Sequence, residues 1–169
     1  MKGFEYIKST EEYLNYLQTH LENVEDAYDE FLKTCSDLLS DEQLKLLDQE
    51  VNNHDVSKFS KEEFVQYRDH FYPTSTNTGF DNSIKKDFQD AWENHKRLNP
   101  HHWENWSKLI YKNDNWKIHC AHMVIDWLAM SYQFGDTPRE YYEKNEEEIK
   151  IPNYAVDFLY DVFDALEAG

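Results

Sequence analysis

The sequence predicts an all-α fold: a single-domain helical bundle, residues 1–169, of six to eight helices. Three observations predict it. Apolar residues recur at spacings of three and four over most of the chain. Helix-start patterns, S-x-x-E or S-x-x-Q, precede several of those stretches. Only four Gly and four Pro are present, too few to punctuate a many-stranded sheet.

Each element can be justified in turn. Ser9 and Glu12 form a capping-box pattern, so a first helix is expected from there to about Cys35. Its inward line is Tyr13, Leu17, His20, Val24, Ala27 and Phe31, which places a histidine on the apolar stripe. Ser40 and Gln43 open a second helix with Leu44, Leu47 and Val51 inward, and His54–Asp55 ends that face. Ser60 and Glu63 open a third, shorter helix through Phe64, Val65 and Tyr67. The stretch YPTSTNTG, 72–79, is the clearest loop. A fourth helix starts near Asn82 or Ser83, with Ile84, Phe88, Ala91, His95 and Leu98 as its core line.

Asn99 is expected to cap the next helix, with Pro100 at its first position and the sequence PHHWENWSKLI. A long helix over about 115–135 carries His119, His122 and Asp126 on one face. Thr137 and Pro138 begin another helix, IPN breaks it, and 154–166 reads as the last amphipathic helix. The acidic run 146–148 is expected on a solvated helix face.

Composition narrows the function. The net charge of -17 repels a phosphate backbone, so a nucleic-acid polymer is an improbable partner. No run reaches the length of a membrane span, and the N-terminus lacks the apolar core of a signal peptide. Cys35 and Cys120 are scattered thiols with no CxxC pair, which suggests a reducing compartment, the cytoplasm. A small-molecule enzyme and an acidic protein that occupies a basic partner both fit that surface. So does acidity that serves solubility alone. Gly-rich phosphate loops, G-x-S-x-G, H-E-x-x-H and E-x-x-H are all missing from the sequence.

What remains is a set of histidines and aspartates on inward helix faces. His20, His95 and His119 or His122 lie on such faces, and His54–Asp55 ends another. Asp126 sits between Ile125 and Trp127 in an apolar helix, where an unpaired carboxylate is costly. Each residue alone has a bland reading: an inward His, such as His70, is usually a hydrogen-bonded core residue. Asp126 alone could cap or pair with a base, His101–His102 could simply start a helix, and Lys58 could lie on the surface. Taken jointly, the pattern favours a divalent cation held by imidazole and carboxylate.

At this point the residues resemble a known family. H…HD…D, matched in order by His20, His54–Asp55 and Asp126, is similar to the signature of the HD-domain metal-dependent phosphohydrolases. HDVSK also resembles the H-D-[IL]-G-K stretch of the HD-GYP branch, although no GYP is present and spacings differ. More closely, HDVSKF, AWENHKRLNPHHWENW and DW resemble a family of small uncharacterised proteins, often phage-encoded, over roughly residues 14 to 135.

The resemblance implies an HD-domain-like fold with His20, His54, Asp55 and Asp126 as metal ligands. It implies one or two divalent ions per chain, drawn from Mn, Fe, Co, Ni, Zn or Mg. His95, His101 and His102 would then hold a second ion or bind phosphate directly. Asp55 and Lys58 would be catalytic, with Lys58 neutralising charge on the phosphoryl oxygens. Lys58, Lys96 and Arg97 would contact substrate, and Glu93 or His119 would shuttle protons. Trp92, Trp103 and Trp106 would stack a base or pack the core, core packing being favoured.

The implied reaction is hydrolysis of a small phosphorylated metabolite, a nucleotide mono- or diester, in the host cytosol if the chain is phage-encoded. No membrane partner is expected, and a homo-oligomer is left open. Two alternatives stand beside it: an acidic, non-catalytic interaction protein, and a nucleotide-binding sponge that has lost turnover.

Overall fold

In the computed structural model, residues 2–75, 81–109 and 114–169 are described. These residues contain eight α-helices, two 3₁₀ turns and no strand, the class that the periodicity predicts. The helices are α1 (Lys2–Thr34), α2 (Asp41–Val51), α3 (Phe64–Phe71), α4 (Asn82–Leu98), α5 (Trp103–Trp106), α6 (Trp116–Phe134), α7 (Pro138–Asn145) and α8 (Asn153–Ala168). The 3₁₀ turns are Ser36–Leu38 and Val56–Phe59. No described helix is long and apolar enough to cross a membrane.

The chain groups into two compact units. The first is Met1–Thr19 with Asp55–Asn99, and the second is His20–His54 with Pro100–Gly169. In the first unit α3 and α4 pack together, and the Val56–Phe59 turn touches both. Its core is small: Tyr13, Leu17, Tyr67 and Ala91 are buried, with Phe64, Phe88 and Trp92 against them.

The second unit is built around α6. That helix is predominantly apolar and buries most of its side chains, with His119, His122 and Asp126 as exceptions in its apolar run. It packs against α2, α5, α7 and α8. Phe31, Leu47, Trp106, Ile125 and Leu159 are fully enclosed, and each such side chain contributes about 1.5–3 kcal/mol through burial. Both cysteines are free and buried. Gly135 ends α6 at φ 83, a left-handed conformation that lets its N–H reach the Ser131 carbonyl.

Local signals hold at α2, where Ser40 and Gln43 exchange both capping-box hydrogen bonds. They hold again at α7, where Thr137 caps and Pro138 occupies the first turn. Elsewhere tertiary contacts override them. Ser9 lies inside α1, which begins at Lys2, and its hydroxyl donates to the Tyr72 carbonyl instead of capping. Glu63 does not return to Ser60; α3 starts at Phe64, and the Glu63 carboxylate is fully buried among polar groups.

Asn99 ends α4 rather than opening α5, because its side-chain amide reaches back to the His95 carbonyl at 2.8 Å. The helix expected over PHHWENWSKLI shrinks to Trp103–Trp106, and the end of that stretch lies outside the described residues. Leu98, expected inward, is exposed. The run 146–148 is exposed but forms a turn after α7. The second half of the loop expected at 72–79 lies outside the described residues.

Two glycines give opposite expectations for the same chemical change. Gly135→Ala forces a side chain into the left-handed region at φ 83 and should lower stability by about 1 kcal/mol. Gly3→Ala, in the first turn of α1 with open space around it, should raise stability by at most about 0.5 kcal/mol. Urea midpoints at unchanged m-value measure both.

Candidate metal centre

His20, His54 and Asp126 converge within the second unit from α1, the turn after α2, and α6. His20 Nε2 lies 3.0 Å from His54 Nε2. Asp126 Oδ1 lies 3.4 Å from His20 Nε2 and 3.5 Å from His54 Nε2. Both histidines are buried, and the Asp126 side chain is 16% exposed. Donor atoms about 2.0–2.2 Å from one ion, at tetrahedral or octahedral angles, stand about 3.0–3.5 Å apart. The three edges therefore suit two imidazoles and a carboxylate on one cation. Between the two imidazoles, one Nε2 donates to the other at 3.0 Å.

His54 has a second face. Its Nδ1 lies 3.0 Å from His122 Nε2. The His101 ring is centred 4.2 Å from the His54 ring and 4.9 Å from the His122 ring. Behind His122 stands Glu50, with Oε2 3.4 Å from His122 Nδ1 and Oε1 2.8 Å from His119 Nδ1. Burial alone would raise the pKa of Glu50. Hydrogen bonds from His119 and His122 outweigh it and hold the carboxyl below its ordinary range.

The local backbone explains how adjacent residues serve different clusters. After α2 the chain turns through 52–55, with the His54 N–H on the Val51 carbonyl at 2.9 Å. Asp55 then adopts φ 56, the one left-handed non-glycine among the described residues. Aspartate tolerates that region better than most residues. His54 joins the imidazoles of the second unit, and Asp55 joins a separate polar network in the first.

In that first-unit network Asp55 Oδ2 accepts from Lys58 Nζ at 2.5 Å, and Asp55 Oδ1 lies 3.1 Å from His95 Nε2. His95 Nδ1 lies 2.9 Å from Glu63 Oε2. Ser57 and Asn94 donate to the two Glu63 oxygens at 2.9 and 2.7 Å. Asn99 donates to Ser57 at 2.8 Å. Asp55, Lys58, Glu63 and His95 are all buried, and their charges sum to zero only when His95 is protonated. Burial lowers the pKa of His95, yet the hydrogen bonds to Asp55 and Glu63 prevail and raise it overall. Burial, assisted by the Asp55 and Glu63 charges, likewise pushes the hydroxyls of Tyr13 and Tyr67 up, which keeps both neutral.

The other sequence-predicted residues are placed as follows. His101 and His102 belong to the second unit, and His102 sits at the start of α5 with its ring 4.4 Å from His101. On α4, Lys96 pairs with Glu93 at 2.9 Å, and Arg97 donates to Asn94 at 2.8 Å. Glu93 is turned outward, while His119 is held by Glu50. Trp103 and Trp106 pack in the second unit's core, whereas Trp92 stacks on the His95 ring. His70 stacks on Phe88. Glu50, Glu63, Ser57 and Asn94 escaped sequence reasoning. Glu63 looked like half of a capping box. Glu50, four residues before His54, could have been found as a carboxylate one helical turn behind a candidate ligand.

The His95 shift carries a pH prediction for metal-free protein. A folded pKa above the ordinary 6.5 gives stability that is complete below that value and lost as pH rises through the raised one. In chelator, the thermal midpoint should fall as pH is taken from about 6 to about 9. Glu63→Gln should lower stability at about pH 6 by about 1.5–3 kcal/mol and flatten the slope. A wild-type midpoint constant across that range would contradict the assignment.

No curated protein and no solved structure matches the chain. One family does match, over residues 9–167, which include every residue of both clusters. The chain belongs to that family, the family of unknown function DUF5662.

Proposed function

We propose that this chain is a metal-dependent phosphohydrolase of HD-domain type, acting on a small phosphorylated metabolite, a nucleotide mono- or diester. The observation that carries the reading is the convergence of His20 Nε2, His54 Nε2 and Asp126 Oδ1 at mutual distances of 3.0, 3.4 and 3.5 Å. Three donors from distant parts of the chain, two nitrogens and one oxygen, match a Zn, Fe, Mn, Co or Ni site. The resemblance would add Asp55, next in the chain to His54, but its carboxylate faces Lys58 and His95 in the first unit.

A divalent ion held there would polarise a phosphoryl oxygen and acidify a water molecule, which is the chemistry that ester hydrolysis needs. The residues supply the rest. His20 and His54 would hold the ion through imidazole lone pairs, and Asp126 would contribute negative charge that offsets part of the cation's. Water forms a new P–O bond as the ester P–O bond breaks, and the leaving alkoxide takes up a proton. The resemblance assigns Lys58 to the phosphoryl oxygens; within the first unit its ammonium donates to Asp55. His95 is held between two carboxylates in the first unit, its Nδ1 2.9 Å from Glu63 and its Nε2 3.1 Å from Asp55. The surface charge of -17 favours a small substrate over a polymer.

Elemental analysis of purified protein, followed by a nucleotide panel with Mn, Co, Ni and Mg, tests the reading. Phosphate release is expected to need the ion. His20→Ala and Asp126→Ala should each reduce it at least about 100-fold, with the helical circular dichroism retained. Asp55→Asn, which tolerates the left-handed backbone, should do the same. Bound metal without turnover on any nucleotide would favour the sponge. Protein that takes up no metal at all would favour the acidic interaction protein and defeat the hydrolase.

A further inference from the structure

We infer that the second unit contains a further cation site, formed by His54 Nδ1, His122 Nε2 and one ring nitrogen of His101, which Glu50 completes as a positioning residue. One donor atom from each of these three histidines lies within 4.8 Å of the others, and none of the three residues is more than 3% exposed. His54 Nδ1 and His122 Nε2, at 3.0 Å, already stand at the separation of two ligands of one ion.

Glu50 is what distinguishes this group from three packed rings. Its Oε2 faces His122 Nδ1 at 3.4 Å, and its Oε1 lies 2.8 Å from His119 Nδ1. The carboxylate places the His122 proton on Nδ1, so the lone pair of Nε2 points towards His54 and His101. A carboxylate behind a ligating imidazole fixes its tautomer and strengthens it as a donor. The donor set is all nitrogen, so it selects Zn, Co, Ni or Cu and discriminates against Mg and Ca.

The two sites share His54 through opposite ring nitrogens. A neutral imidazole has one lone pair. An ion on His54 Nε2 therefore leaves a proton on Nδ1, and an ion on Nδ1 leaves a proton on Nε2. While His54 is a neutral imidazole the positions are alternatives, with one transition ion at either the His20–Asp126 side or the His101–His122 side. The inference uses the imidazole cluster of the proposed function but does not need phosphate hydrolysis.

Cobalt titration of chelator-stripped full-length protein, followed by visible absorption, tests it. The Asp126→Asn, His20→Gln double variant removes the first site and should still bind one Co(II), with the intense bands of a four-coordinate, nitrogen-rich ion. Adding His122→Asn or His101→Asn to that background should weaken binding at least tenfold. Adding Glu50→Gln should weaken it about 10–100-fold. Circular dichroism confirms that each variant is folded, and two different ligand variants guard against one that is not.

Loss of all cobalt binding in the double variant overturns the inference. So does binding that neither His122→Asn nor His101→Asn changes. Inactivity towards every phosphate ester, with cobalt binding retained in the double variant, would defeat the hydrolase and leave this site standing.

Discussion

The fold depends on one constraint: ionisable side chains enclosed by apolar helix packing must satisfy one another. His20, His54, His101 and His122 are each at most 4% exposed, in a unit whose core is otherwise aliphatic and aromatic. Water cannot compensate their ring nitrogens there, and a polar group left unpaired in such surroundings costs about 1–3 kcal/mol. His20, His54 and His122 are therefore met by another imidazole or by a carboxylate, and the His101 ring packs on those of His54 and His122. The same necessity operates in the first unit, where the Asp55 and Glu63 carboxylates meet Lys58 and His95. Buried groups arranged in this way rarely serve stability, since apolar residues of equal volume would do so at lower desolvation cost.

Helix α6 is the frame for much of that arrangement. It is enclosed on all sides, and its regular repeat brings His119, His122 and Asp126 to one face. Helix α2 packs against it and brings Glu50 to His119 and His122. A turn of α2 further on, the chain delivers His54. Donor groups on rigid, mutually packed helices are held more tightly than groups on loops, which favours a preformed cation site. The left-handed residue at Asp55 belongs to this design. It directs two consecutive side chains into different clusters, at a modest conformational cost that the surrounding hydrogen bonds offset.

The family to which the chain belongs carries no assigned activity, so function rests on the site itself. Two imidazoles and one carboxylate at ligand spacing could hold a cation, and the phosphate chemistry built on it is the proposal made above.

By itself the sequence determined the all-α class, the capping of α2 and α7, the span of α6 and the inward positions of His20, His54, His95 and Asp126. All of these follow from local spacing: the helical period puts residues on one face, and caps act within four residues. Only the tertiary structure decided which inward residues meet. Glu63 reads as a helix start from its neighbours, yet its carboxylate is claimed by His95 and Asn94, 32 and 31 residues away. Asn99 reads as the start of a helix, yet contacts with Ser57 and His95 make it the end of one. Glu50 acquires a role only because α2 packs on α6. Periodicity reports that a side chain faces inward, and burial then forces it to find a partner. Which partner it finds depends on how the helices pack, which no local pattern encodes.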